Sequence, residues 1–208
     1  MLGIATMPYL LTSLFFAMIS MPSPLRCIIK PSKTIGFLIM KSHRYNDCLV
    51  TGKALLENDF LSTLAFIQNL NHISQYEPKL KTARPEASND KQGYYYAEGK
   101  FIGISWSGKF SYQLTTKGFH SEMIEGPLKH HMSGGFVITE EDIHHATITH
   151  YEKYALPMAT RWLNCIIKPY LFFAMKKELR NIAKNLNCRL TRLYVTLHAK
   201  NKSLAQNL

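Results

Sequence analysis

Histidine is the side chain best placed to do chemistry in this chain. It occurs at His43, His72, His120, His130, His131, His144, His145, His150 and His198. An imidazole changes charge near neutral pH and can pass a proton or hold a metal ion. The adjacent pairs 130–131 and 144–145 invite a metal reading, but strand neighbours point to opposite faces, so neither pair chelates by itself. There is no His-x-x-x-His, and Cys27, Cys48, Cys165 and Cys188 all lie far from one another, whereas zinc sites draw on closely spaced ligands. The histidines therefore read as structural, and neither a metal nor a cofactor is expected. No Gly-x-Ser-x-Gly elbow supplies a nucleophile. Ser133-Gly134-Gly135 sits between strand-like residues, where glycine suits a bulge or bend better than a phosphate cradle.

Strand alternation gathers a few of these groups. Met132, Phe136 and Ile138 share a face with His130; Ala146 and Ile148 share a face with His144, His150, Glu152 and Tyr154. A hairpin tip at Glu140–Asp142 predicts Met132 beside His150 and His130 beside Glu152. The weak catalytic candidates are therefore His130, His150 and Glu152, with the carboxylate holding one imidazole tautomer for acid–base work. The competing reading puts them at a solvated mouth or edge, since a one-residue slip turns every side chain outward.

The elements that must position them follow from periodicity. Residues 48–56 read as a first strand. Asn58 and Asp59 offer helix caps before 60–70, with Leu61, Leu64, Ile67 and Leu70 as the apolar face. Glu77-Pro78 ends that segment, and a polar loop follows around Pro85–Gly93. From Tyr94 to Ala155 the period is two, as in Trp106, Gly108, Phe110, Tyr112 and Leu114 against Ser107, Lys109, Ser111 and Gln113. Turn signals at Ser107-Gly108, Lys117-Gly118, Gly126-Pro127 and Glu140–Asp142 cut this stretch into a meander. Leu156-Pro157 then opens a helical pattern to about Asn187, carrying Trp162, Ile166, Tyr170 and Phe173 beside Leu163, Ile167 and Leu171. Pro169 lies inside it.

Charge is distributed unevenly. The net charge is +11, yet no charged side chain precedes Arg26, and residues 176–208 carry eight basic residues against Glu178 alone. A basic helix and tail suit an acidic phospholipid surface; no nucleic-acid signature accompanies them. Sparse cysteines read as reduced thiols in the cytoplasm, although a disulfide between two of them stays open. Residues 1–40 form a hydrophobic segment with two readings. Positive residues follow it, which predicts an anchor with the domain on the cytoplasmic face; alternatively, Met40 is the start and the segment is upstream sequence. The chain thus divides into 1–40, a domain at 41–188, and a basic tail at 189–208.

Strand, short helix, antiparallel sheet and long final helix together resemble the helix-grip fold of the START-like superfamily, also called SRPBCC, over roughly residues 46–188. The resemblance rests on Asn71–Pro78, on Gly126-Pro127-Leu128 with Ser133–Ile138, and on Ala146–Glu152 leading into the helix that contains Lys176–Ile182. It implies an α+β fold, a curved sheet wrapped around the C-terminal helix. It also implies a cavity for a hydrophobic or amphipathic molecule such as a lipid, quinone or polyketide. Trp106, Phe110, Tyr112, Met132, Phe136, Ile148, Trp162, Ile166 and Phe173 are the expected ligand-binding or core residues. The alternative is a polyketide cyclase/dehydratase-like enzyme using the His and Glu candidates above.

Overall fold

The computed structural model describes residues 45–86, 91–157 and 164–198. Eight antiparallel strands form one curved, unclosed sheet in the order β2-β3-β4-β5-β6-β7-β1-β8. They are β1 (Tyr45–Leu56), β2 (Leu80–Pro85), β3 (Gln92–Phe101), β4 (Ile104–Thr115), β5 (Gly118–Glu125), β6 (Met132–Asp142), β7 (His145–Pro157) and β8 (Leu190–His198). Helix α1 (Phe60–Gln68) and the single turn α2 (Ile73–Tyr76) follow β1, and α3 (Asn164–Asn185) packs between β7 and β8 in sequence. The expected helix-grip arrangement is present.

Local rules explain most of these elements. The Asp59 carboxylate caps α1 by accepting the Ser62 amide at 2.8 Å. The helix buries Thr63 and Ile67, not Leu61, which is 72% exposed. A strict three-residue row turns about 60° per step off a 3.6-residue face, so its first member drifts out of the core. In β4, Trp106, Gly108 and Phe110 are buried and Ser107 and Gln113 exposed, as the alternation requires. Ser107-Gly108 makes no turn; the chain reverses at Ile102-Gly103, both at positive φ. The residues around Pro85, expected as loop, include β2, whose Arg84 pairs with Tyr96 of β3.

Two further boundaries are corrected. Pro157 ends β7 opposite Tyr45 and does not open the helix. Leu190–His198, expected as tail, forms β8 and pairs along the free side of β1 from Leu49↔His198 to Leu56↔Leu190. Leu193, Val195 and Leu197 pack on the core from it. The period-two pattern of Leu193-Tyr-Val-Thr-Leu was masked by the surrounding basic charge. Residues 1–40 and Trp162 lie outside the described residues.

Two glycines set how closely the layers approach. A Cβ on Gly52 of β1 would lie 2.7 Å from side-chain atoms of Leu179 and Met175, so its absence lets α3 settle onto the sheet. A Cβ on Gly99 of β3 would lie 2.0 Å from the Lys79 carbonyl oxygen. That oxygen accepts the Lys100 amide at 2.9 Å. The first conflict is with flexible side-chain ends and the second with backbone. Gly99→Ala should therefore cost about 2–3 kcal/mol in urea unfolding and Gly52→Ala about 1 kcal/mol or less; equal costs would contradict this account.

Candidate functional site

Between the concave face and α3 lies a buried cluster of ionisable groups. It gathers Glu77 and Lys79, just after α2; His150, Glu152 and Tyr154 on the inner face of β7; and Glu178 on α3. Each is at most 9% exposed. The alternation of β7 aims its three members inward. Gly99 admits the Lys79 backbone from one side, and Gly52, paired with His150 across β1 and β7, admits α3 from the other. The Asn181 amide donates to the Tyr76 carbonyl at 3.0 Å and ties α3 to the segment that carries Glu77.

The Lys79 ammonium donates to one oxygen of Glu152, the shortest contact of the cluster. It also reaches the Tyr154 hydroxyl at 3.2 Å and Glu77 at 3.4 Å. Tyr154 donates to the second oxygen of Glu152 at 2.9 Å. Burial lowers the Lys79 pKa, but Glu152 and Glu77 outweigh it and hold the ammonium well above its ordinary value. Burial likewise raises Glu152, while Lys79 and His150 pull it below the usual carboxylate range. The pair is ionised, as a buried pair must be to offset desolvation.

The other members lack such compensation. Burial, then the neighbouring Glu178, pushes Glu77 up to about 8. Burial holds Glu178 well above the carboxylate range, and it shares a hydrogen bond with Glu77. Burial brings His150 down to about 4 against the pull of Glu152, so its ring is neutral at pH 7. His150 Nδ1 and Glu178 Oε2 face each other at 3.0 Å, yet neither makes a hydrogen bond. Phe136 stacks on the His150 ring with centroids 4.0 Å apart, and Tyr76 meets Phe136 edge-on at 5.8 Å. Tyr76 OH and His72 Nδ1 are also buried without a hydrogen bond.

The structure gathers some of the expected residues and separates others. His150 and Glu152 are buried together; His130 is not with them. β6 pairs with β7 as Met132↔Tyr154 and Phe136↔His150, because the hairpin tip lies two residues beyond the expected one, at Asp142↔His145. His130 precedes β6 at φ +58, is exposed, and contacts Glu122 at 3.0 Å. Trp106, Phe110, Phe136 and Ile148 are buried, and Tyr112 and Met132 pack partly buried beside them. Tyr95 and Phe110 stack at 5.0 Å. Ile166 and Phe173 are corrected: they are 45% and 66% exposed, while Ile167, Leu171 and Met175 face the sheet. Apolar residues occupy both faces of the first half of α3, so its spacing could not say which one packs.

Glu77, Lys79 and Glu178 were missed as site residues. Glu178 did leave a trace, as the lone acid within the apolar row Met175, Leu179 and Ile182. A hollow of about 510 Å³ elsewhere is lined by Glu57, Asn58, Asp59, Ile143, His144 and His145. Its open, polar wall does not suit an apolar ligand.

The same architecture occurs in solved structures. The aromatase/cyclase Zhui from Streptomyces sp. R1128 superposes with a TM-score of 0.59 at 9% identity, over 68% of this chain and 94% of that one. A START superfamily protein from Mycobacterium smegmatis gives 0.54 at 9%, over 67% and 97%. The STAR-related lipid transfer protein fragment from Xanthomonas axonopodis gives 0.50 at 11%, over 66% and 84%. The fold is START-like. No protein-family model matches the sequence, and neither does any curated protein. At these identities the START-like likeness concerns the fold and not the reaction.

Removing one partner of the buried pair exposes its energetics. Lys79→Met should cost about 3–5 kcal/mol, because it strands the Glu152 carboxylate. Adding Glu152→Gln should recover part of that loss, so the double-mutant cycle should show a coupling above about 1 kcal/mol. Additive costs in urea unfolding would show that the two charges do not support each other.

Proposed function

We propose that this chain binds a hydrophobic or amphipathic small molecule, such as a lipid, quinone or polyketide, between the concave face and α3. The observation that carries the reading is the wall itself. An aromatic surface built from Tyr95, Trp106, Phe110, Tyr112 and Phe136 meets Tyr76, whose buried hydroxyl makes no hydrogen bond. Apolar lining with a few polar groups fits a molecule with an apolar body and a polar end. The START-like fold, found also in proteins named as an aromatase/cyclase and a lipid transfer protein, supports the same ligand class.

The enzymatic alternative, a cyclase/dehydratase-like reaction on His150 and Glu152, draws support from their burial side by side. Their geometry favours binding instead. Both Glu152 oxygens are engaged by Lys79 and Tyr154, and Phe136 covers the His150 ring. The carboxylate is thus held by two donors and the imidazole is packed face-on, which suits a fixed polar lining better than acid–base turnover. Native mass spectrometry of the purified full chain should release a non-covalent apolar molecule on activation. A ligand-free chain that also fails to bind fatty-acid and quinone probes saturably would refute the reading.

We also infer a cytoplasmic place against an acidic membrane surface. The outer side of α3 exposes Ile166 and Phe173, then Lys177, Arg180 and Lys184, and Lys176 lies 4.3 Å over the Phe172 ring. Apolar contact followed by basic charge suits an anionic bilayer face. Among the described residues no helix is long and apolar enough to cross a membrane. The full chain should co-sediment with phosphatidylglycerol-containing vesicles and not with phosphatidylcholine alone. Lys177→Glu with Arg180→Glu should weaken that binding at least about tenfold, near 1 kcal/mol per charge; unchanged binding would exclude this face.

A further inference from the structure

The buried cluster contains more negative charge than its one ammonium can balance. Glu77, Glu152 and Glu178 face only Lys79, and the fifth group, His150, is an imidazole. With all three carboxylates ionised the interior would hold a surplus of two negative charges, which a dry interior does not tolerate. Two protons or one divalent cation would remove it.

The geometry distinguishes a site from a mere acidic cluster. One ligand atom each from His150, Glu152 and Glu178 lies within 4.8 Å of the others. His150 Nδ1 and Glu178 Oε2 are deeply buried, lie 3.0 Å apart and make no hydrogen bond. Two donors bound about 2.1 Å from one ion at the tetrahedral angle stand about 3.4 Å apart, so a shift of a few tenths of an ångström would seat this pair on one ion. The donors come from different layers, two from β7 and one from α3, which Gly52 lets close over them.

We propose that His150, Glu152 and Glu178 bind one divalent transition-metal ion, with Zn²⁺ the best match. One imidazole nitrogen and two carboxylate oxygens are a zinc-type donor set. Mg²⁺ fits poorly, because it keeps several waters in a rigid octahedron. Lys79 and Tyr154 each donate to one oxygen of Glu152 and fix its orientation, as outer partners do for metal-bound carboxylates, and the ion would take a remaining lone pair. The ion would lock α3 to the sheet. This proposal does not depend on which organic molecule the fold binds.

The test uses the full chain stripped with a chelator and then titrated with Zn²⁺ by calorimetry and with Co²⁺ by visible absorption. The expected result is one saturable equivalent, a Co²⁺ band displaced by Zn²⁺, and a raised unfolding temperature. Glu178→Gln and His150→Gln should each weaken binding at least about tenfold. His130→Gln with His145→Gln, which removes the exposed imidazoles beside Glu122 and Asp142, should leave it unchanged. No saturable binding would overturn the proposal and leave protons to balance the charge. Binding that survives both interior substitutions, or that disappears with the surface pair, would also overturn it. If circular dichroism shows that one interior variant is unfolded, the other decides. If both are unfolded, the one-equivalent Co²⁺ end point in the surface double variant decides.

Discussion

The structure depends on keeping one ammonium–carboxylate pair and two further carboxyl groups out of water. Each buried ion costs several kcal/mol before any pairing, so the elements around the cluster have little freedom in where they sit. Lys79 must meet Glu152, and Tyr154 must complete that carboxylate's bonds. Glu77 and Glu178 must lie close enough to share a hydrogen bond. These needs tie together the segment after α2, strand β7 and helix α3, which are remote in sequence. Gly52 and Gly99 serve the same end, since a methyl group at either would hold one layer away from its neighbour.

Around this polar centre the rest of the interior is apolar and aromatic. The row Trp106, Phe110, Tyr95 and Tyr112 runs across β3 and β4, while Tyr76, Phe136 and Phe119 join α2 to β5 and β6. The two regions meet where Phe136 covers His150. A charge-bearing cluster beside an aromatic region gives the interior one polar and one apolar end. β8 extends the sheet beyond β1 and adds Leu193, Val195 and Leu197 to the same interior.

Much of the scaffold was legible because local physics sets it. The β4 alternation, the Asp59 cap, the turn at Lys117-Gly118 and the inward aim of His150 and Glu152 follow from period, capping and turn chemistry. Where one residue of offset matters, local pattern failed. The true tip of the β6–β7 hairpin removed His130 from Glu152 and left it in solvent. Doubly apolar spacing in α3 hid that Ile167 and Leu171, not Ile166 and Phe173, face the sheet. The basic surroundings of Leu190–His198 concealed an alternating strand.

The sequence alone determined the class of the molecule: an antiparallel meander with a long late helix, resembling START-like proteins, with an aromatic inner face and a basic end. Period and composition suffice for the elements and the charge distribution, because they act between residues near in the chain; the likeness to START-like proteins came from their order. Only the tertiary structure decided the site. Glu77 read as the end of a helix, Lys79 carried no signal, and Glu178 read as one acid in a basic run. Their meaning lies in contacts between separate segments, such as Lys79 to Tyr154 at 3.2 Å across 75 residues and His150 to Glu178 at 3.0 Å across 28. Such distances arise from register, helix rotation and two missing side chains, none of which a one-dimensional pattern encodes.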